Sequence, residues 1–197
     1  TSALRATIRG AFLCAGLDGD RITGENYDAL ERALASPSAL SRAQYAKRFN
    51  IGRVALNLNS AQGAELICRG DEPPEKNDPF ALIPTFDAHA LDPRSAPVKK
   101  YARFLGCSLG TLSEYYSFIE MLLDCFISRC GVCGLKVSEQ YFRRLDYAKS
   151  DRGEAERLYL SGENGVEDKA LADDIANFIL GLAERRGLTV QLHTGML

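Results

Sequence analysis

No apolar run in this chain approaches the ~20 residues that a membrane span requires. The longest candidate, residues 117–127, is interrupted by Glu120 and Asp124. The first residues, Thr1-Ser2-Ala3-Leu4-Arg5, lack the basic-then-apolar order of a secretory signal, and an initiator Met as well. A cytoplasmic protein with no membrane partner is expected. No basic block stands out either: 24 Lys and Arg are mixed with 26 Asp and Glu, for a formal net charge of −2. That balance argues against nucleic acid as a partner. The glycines form no GxGxxG and no phosphate-binding loop, and no GxSxG elbow occurs, so nucleotide cofactors and serine-hydrolase chemistry lose their support.

Cysteine is sparse, at 6 in 197 residues. Cys14, Cys68, Cys107, Cys125, Cys130 and Cys133 sit mostly among apolar neighbours, where a thiol behaves as a small hydrophobe. This suits a reducing cytosol. Cys130-Gly131-Val132-Cys133 lies where a helix ends and a strand begins, the reverse of a redox pair that opens a helix. A structural zinc site would want a second close pair, so the motif reads as packing.

What is present is an alternation of helical and extended patterns. Leu4, Ile8, Ala11 and Phe12 have helical spacing and run into the turn Gly16-Leu17-Asp18-Gly19-Asp20. A second helix is expected from near Thr23, with Tyr27, Leu30 and Leu34 on one face, closed by Pro37; a third is expected over 41–49. Then Val54-Ala55-Leu56-Asn57-Leu58 reads as a buried strand. A polar, proline-rich loop over 70–79 follows, and a second strand over 80–86 with Pro84 in it. Thr111-Leu112-Ser113-Glu114 matches a capping box, and the apolar stripe after it predicts a helix through Cys130, ended by Gly131. A third strand is centred on Gly134-Leu135-Lys136-Val137. A polar stretch over 146–169 leads to a helix bearing Ile175, Phe178, Ile179 and Leu182, with Gly187 just past its end. The last strand spans 188–192. Strands alternating with helices predict an α/β fold of parallel strands joined by helical crossovers, either a doubly wound sheet or part of a barrel.

Ligands of such folds bind at the C-terminal ends of the strands. Those ends carry Asn57 and Asn59; then Asp87 and His89; then Lys136, with Ser138 and Glu139 beyond it; then His193 and Thr194. The chain has only 2 histidines, and both fall there. A lysine between apolar strand residues places its ammonium where desolvation is costly. It either snorkels along apolar surface or serves function.

The stretch 131–195 resembles the amidohydrolase-related (amidohydrolase-2) family of TIM-barrel proteins. The matching pieces are Gly134-Leu135-Lys136-Val137, the aromatic-rich Tyr141-Phe142-Arg143-Arg144-Leu145, the acidic-helical Arg152-Gly153-Glu154-Ala155-Glu156-Arg157, and the segment from Ala183 through Gln191-Leu192-His193-Thr194-Gly195. Fainter similarity covers Asn26-Tyr27, Arg53-Val54-Ala55-Leu56-Asn57 and Ala81-Leu82-Ile83-Pro84. The uronate isomerases share this layout. The resemblance implies a (β/α) TIM barrel of which this chain spans strands two to five, with a helical segment over 1–50 inserted after the first strand and β/α units over 51–197. It implies His193 and Lys136 as ligands of a divalent metal, zinc first, with Asp87, His89 and Thr194 binding substrate. The metal would activate water and polarise a carbonyl or carboxylate. The expected activity is hydrolysis, decarboxylation or isomerisation of a small carboxylate or carbonyl substrate by a hydrolase-type enzyme. The family's His-x-His pair does not occur in this sequence, and the resemblance implies that a later-strand histidine and a final-strand aspartate would lie beyond Leu197. A non-catalytic binding or scaffold protein that forms a homo-oligomer is therefore the alternative.

Overall fold

A computed structural model of the chain describes residues 2–36, 40–59, 61–63, 68, 80–162 and 165–194. The expected loop over 70–79, the closing Pro37, and Gly195 lie outside them. The chain divides into two compact units, Thr1–Val54 and Ala55–Leu197.

The first unit is helical: α1 (Ser2–Cys14), α2 (Tyr27–Leu34) and α3 (Arg42–Arg48). Among the described residues, Phe12, Leu30 and Ala46 are its buried apolar ones. The helical spacing in α2 is as expected, but only Leu30 of the expected face is buried; Tyr27 and Leu34 stay exposed. The helix also starts later than Thr23. Asn26 takes the N-cap position, and its side chain accepts from the Thr23 amide across the preceding turn. Ser41 caps α3 through a reciprocal box with Gln44.

The second unit holds β1 (Val54–Leu58), whose first residue ends the helical unit, then β2 (Phe80–Pro84), α4 (Ala96–Leu105), α5 (Leu112–Cys130), β3 (Gly134–Val137), α6 (Arg152–Ser161), α7 (Lys169–Arg185) and β4 (Thr189–Leu192). β1 pairs with β2, and β3 pairs with β4 in parallel. The Thr85 amide donates to the Leu58 carbonyl at 2.7 Å, which sets the C-terminal ends of β1 and β2 side by side. One parallel bridge, Thr85 to Lys136, joins the two pairs, supported by the Phe86 amide donating to the Lys136 carbonyl at 2.8 Å. The strands therefore neighbour one another in chain order. The 2-1-3-4 order of a doubly wound sheet is not found among the described strands, and the small, unclosed sheets fit part of a barrel.

Helices cover one face of these strands. Leu82, Phe86 and Leu135 join the core with Tyr115, Ile119, Leu122 and Phe126 of α5 and Ile175, Ile179 and Leu182 of α7; Leu56, Leu58 and Val190 pack against it. The alternate residues Ala55, Asn57, Gln191 and, less fully, Ile83 and Lys136 are more open. The capping box of α5 is present as the sequence predicts: the Thr111 side chain accepts from the Glu114 amide, and Glu114 accepts from the Thr111 amide at 2.9 Å. Gly131 ends the helix in the left-handed conformation (φ 59°), where a side chain is disfavoured. Gly134 answers to a different demand. A Cβ there would lie 2.6 Å from the Thr189 carbonyl oxygen on β4.

One helix, α4, has no counterpart in the sequence reading, and α6 answers to the acidic-helical run 152–157 that the family resemblance marks. α4 begins at the Ser95 cap with Pro97 in its first turn, ends at left-handed Gly106, and buries Val98, Tyr101 and Ala102. α6 rests on the Asp151 cap, which accepts from the amides of Gly153 and Glu154, and buries only Ala155. Among the described residues no helix is long and apolar enough to cross a membrane. All six cysteines are free, and burial pushes the Cys130 thiol up to about 11, as a packing role for that residue requires.

Candidate functional site

The turns after β2 and β3 clasp each other through two buried carboxylates. Asp87, just past β2, accepts from the Ala90 amide at 2.8 Å with one oxygen and from the Ser138 amide at 2.7 Å with the other. Glu139, just past β3, accepts from the Ala88 amide at 3.0 Å. Each turn thus supplies the acceptor for the other turn's backbone. Burial raises both carboxyls above their ordinary values, and the Asp87 charge raises Glu139 further, while the backbone hydrogen bonds pull the other way. Asp87 was expected to bind substrate. It is only 3% exposed and both oxygens are spent on amides, so its place is that of a brace.

A second tier holds the longer connection after β3. Arg143 lies 3.8 Å from the free oxygen of Glu139 and pairs through its other terminal nitrogen with Asp173 of α7. The second oxygen of Asp173 accepts from Lys169 Nζ at 2.7 Å and from the Ala148 amide at 3.1 Å. Burial works to raise the Asp173 carboxyl, yet hydrogen bonds from Lys169 and Arg143 outweigh it and hold the group below its ordinary value. The next residue, Asp174, accepts from Tyr116 Oη, Ser150 Oγ and Arg152. Consecutive aspartates on α7 therefore tie down the segment that carries Tyr141 and Phe142.

These two aromatics are exposed, and each meets a histidine. Phe142 stacks on His89, centroids 4.3 Å apart and planes 28° apart. Burial lowers the His89 pKa, against an upward pull from Asp87, and so favours the neutral ring. Tyr141 sits edge-on to His193 at 5.0 Å, its hydroxyl 3.3 Å from Nδ1 and 3.5 Å from Nε2. With the Gln140 amide turned to suit its neighbours, its nitrogen donates to the carbonyls of Ser138 and His193, and its oxygen accepts from His193 Nδ1 at 3.0 Å. That assignment puts the proton on Nδ1 and leaves the Nε2 lone pair free of the Gln140 amide.

Lys136 and Gln191 are register partners across β3 and β4. His193, two residues beyond Gln191, lies on the same face, and its amide extends the ladder to the Val137 carbonyl at 3.0 Å. Lys136, Gln191 and His193 thus share the face turned from the helical core. Thr194 follows, exposed. Among the described residues no three His, Cys, Asp or Glu side chains converge as a metal site. His193 offers one imidazole of the kind a metal takes, so the described donor set does not make a complete centre, and no chemical step is derived through one. Sequence reasoning placed Asp87, His89, Lys136 and His193 at strand ends. It missed Gln140, Arg143 and Asp173; only Glu139, a carboxylate directly after a strand, carried a local signal.

No family model and no curated protein matches the chain. Solved structures do. Glucuronate isomerase from Caulobacter crescentus aligns with a TM-score of 0.63 and 17% identity over 98% of this chain and 41% of its own. Uronate isomerase from Thermotoga maritima aligns with a TM-score of 0.63 and 10% identity over 98% of this chain and 43% of its own. At such identities the likeness is one of fold: this chain has the architecture of part of these TIM-barrel-type uronate isomerases and spans less than half their length.

Proposed function

We propose that this chain forms part of the substrate pocket of an amidohydrolase-superfamily isomerase whose substrate is a small sugar acid. The observation that supports it most is the sharing of one sheet face by Lys136 and His193 at neighbouring strand ends, in a fold like that of the uronate isomerases. A uronate carries a carboxylate and a carbonyl. Shifting the carbonyl needs a base for the proton on the adjacent carbon and a cation to hold the carboxylate. In this reading the Lys136 ammonium holds the carboxylate, and His89, steadied by Phe142, takes the proton from the carbon beside the carbonyl and returns it to the former carbonyl carbon, while the hydroxyl proton passes from one oxygen to the other. Thr194 supplies a hydroxyl contact. Of the metal ligands expected, His193 keeps its place; a divalent metal such as zinc, when bound, supplies Lewis acidity.

Titration of the chain with D-glucuronate, followed through the two imidazole signals by NMR, tests the assignment. Both signals should shift saturably, neutral D-glucose should shift them far less, and Lys136→Ala should weaken the uronate at least tenfold. Equal shifts from glucose, or full affinity in the Lys136→Ala variant, would defeat it. The lack of a three-donor cluster among the described residues favours a second reading, a non-catalytic binding protein. Zinc analysis after loading and dialysis separates the two: stoichiometric zinc that is lost in His193→Ala supports the enzyme, and none supports the binding protein.

A further inference from the structure

A cavity of about 780 Å³ opens among the helices of the second unit, and among the described residues none from a strand lines it. Its walls come from α4, the α4–α5 connection, the end of α6 and the start of α7. The volume is in the range of small-molecule sites. The inner wall is apolar: Ala102, Val166 and Leu171 are core residues, joined by Leu109 and Tyr159. The Tyr159 hydroxyl is spent on the Leu109 carbonyl at 2.8 Å, and its ring packs on Tyr115 at 5.4 Å. Tyr159 thus adds carbon surface with its polar end already satisfied.

The rim is basic. Lys99 and Arg103 stand one turn apart on α4, and Arg94 stands just before that helix. Arg94 is held by both oxygens of Asp92, each at 3.1 Å, so its charge is offset. Arg103 spends Nε on the Lys99 carbonyl at 3.2 Å, which leaves its terminal nitrogens. No acidic side chain is among the described residues lining the cavity. Two like charges at this helical spacing repel each other, and an anion between them reverses that repulsion. An apolar wall alone would suit a neutral hydrocarbon, and a basic rim alone a bare inorganic anion. Their combination selects a molecule with both.

We propose that this cavity binds an amphipathic organic anion of the medium-chain fatty carboxylate class. Its tail lies against Leu109, Tyr159, Val166 and Leu171, and its head lies between Lys99 and Arg103. The site is separate from the strand-end residues and does not depend on the isomerase reading. The test is calorimetric titration of the full chain with octanoate, 1-octanol and inorganic phosphate, with NMR contacts from the octanoate chain to the Tyr159 ring. Octanoate should bind once per chain, octanol at least tenfold more weakly, and phosphate without saturation. Combined Lys99→Glu and Arg103→Glu substitution, at two exposed positions, should weaken octanoate at least tenfold with the thermal midpoint held within a few degrees. No saturable octanoate binding overturns the proposal. So does octanol binding as tightly as octanoate, unchanged affinity in the charge-reversed variant, or contacts that miss Tyr159.

Discussion

Asp87 and Glu139 lie under the strand ends with backbone amides as their hydrogen-bond donors, whereas Asp173 and Asp174, in the first turns of α7, meet cationic and hydroxyl side chains as well. All four are acidic, and each links segments distant in sequence. Their electrostatics differ in sign. Burial dominates at Asp87 and Glu139 and raises them; Lys169 and Arg143 prevail at Asp173 and lower it. A folded state that raises a carboxyl binds its proton more tightly than the unfolded chain does. Stability from that source is full below the ordinary carboxyl value and is lost as pH climbs through the raised one. Asp173 behaves in the opposite way: its contribution is present above the ordinary value and is lost as pH falls through the depressed one. One brace resists acid and the other resists base.

The largest effect should come from breaking the charged brace. Asp173→Ala leaves Arg143, only 13% exposed, with Glu139 at 3.8 Å as its remaining carboxylate, and frees Lys169 and the Ala148 amide. Loss of one member of such a pair costs about 3 kcal/mol, which a shifted urea midpoint at unchanged slope would register. A change below roughly 1 kcal/mol would show that Glu139 alone suffices to compensate Arg143. A smaller effect is expected at the strand-end brace. Glu139→Gln keeps an acceptor for the Ala88 amide but removes the titration. The fall in stability between about pH 4.3 and the raised Glu139 value should flatten, as read from thermal midpoints across that window. A steeper fall instead would mean that Asp87, not Glu139, holds the proton. The smallest effect on stability is expected for Phe142→Ala. The ring is 67% exposed, so the change should stay within about 0.5 kcal/mol. Its signature is the pKa of His89, which should rise toward the ordinary histidine value as water reaches the imidazole; a two-histidine chain makes that NMR titration simple to assign.

The sequence reading found the four described strands and α5, because short apolar runs bounded by polar residues and a capping box are local patterns. It missed α4, where Pro97 looks like a breaker yet sits in the first turn, which lacks intrahelical acceptors for its amides in any case. It marked α6 only through the family resemblance over 152–157, because a helix that buries only Ala155 has almost no apolar stripe to see; its caps hold it. The strand-end rule located Asp87, His89, Lys136 and His193, since it needs only strand boundaries. It did not assign Asp87 its buried role. The Arg143–Asp173 pair joins residues 30 positions apart on elements that meet only in three dimensions, and no periodicity records such a meeting.

Gly134 has a consequence that reaches the strand ends. Its missing side chain lets β3 approach the Thr189 carbonyl, and no other residue of Gly-Leu-Lys-Val could stand in that place. If β3 slid by one residue against β4, Leu135 would meet that carbonyl, and Lys136 would no longer be matched with Gln191. The glycine therefore acts as a key that admits one alignment of the two strands. The direction in which Lys136 and His193 present their side chains is written three residues before the lysine's own strand ends, in a position with no side chain at all.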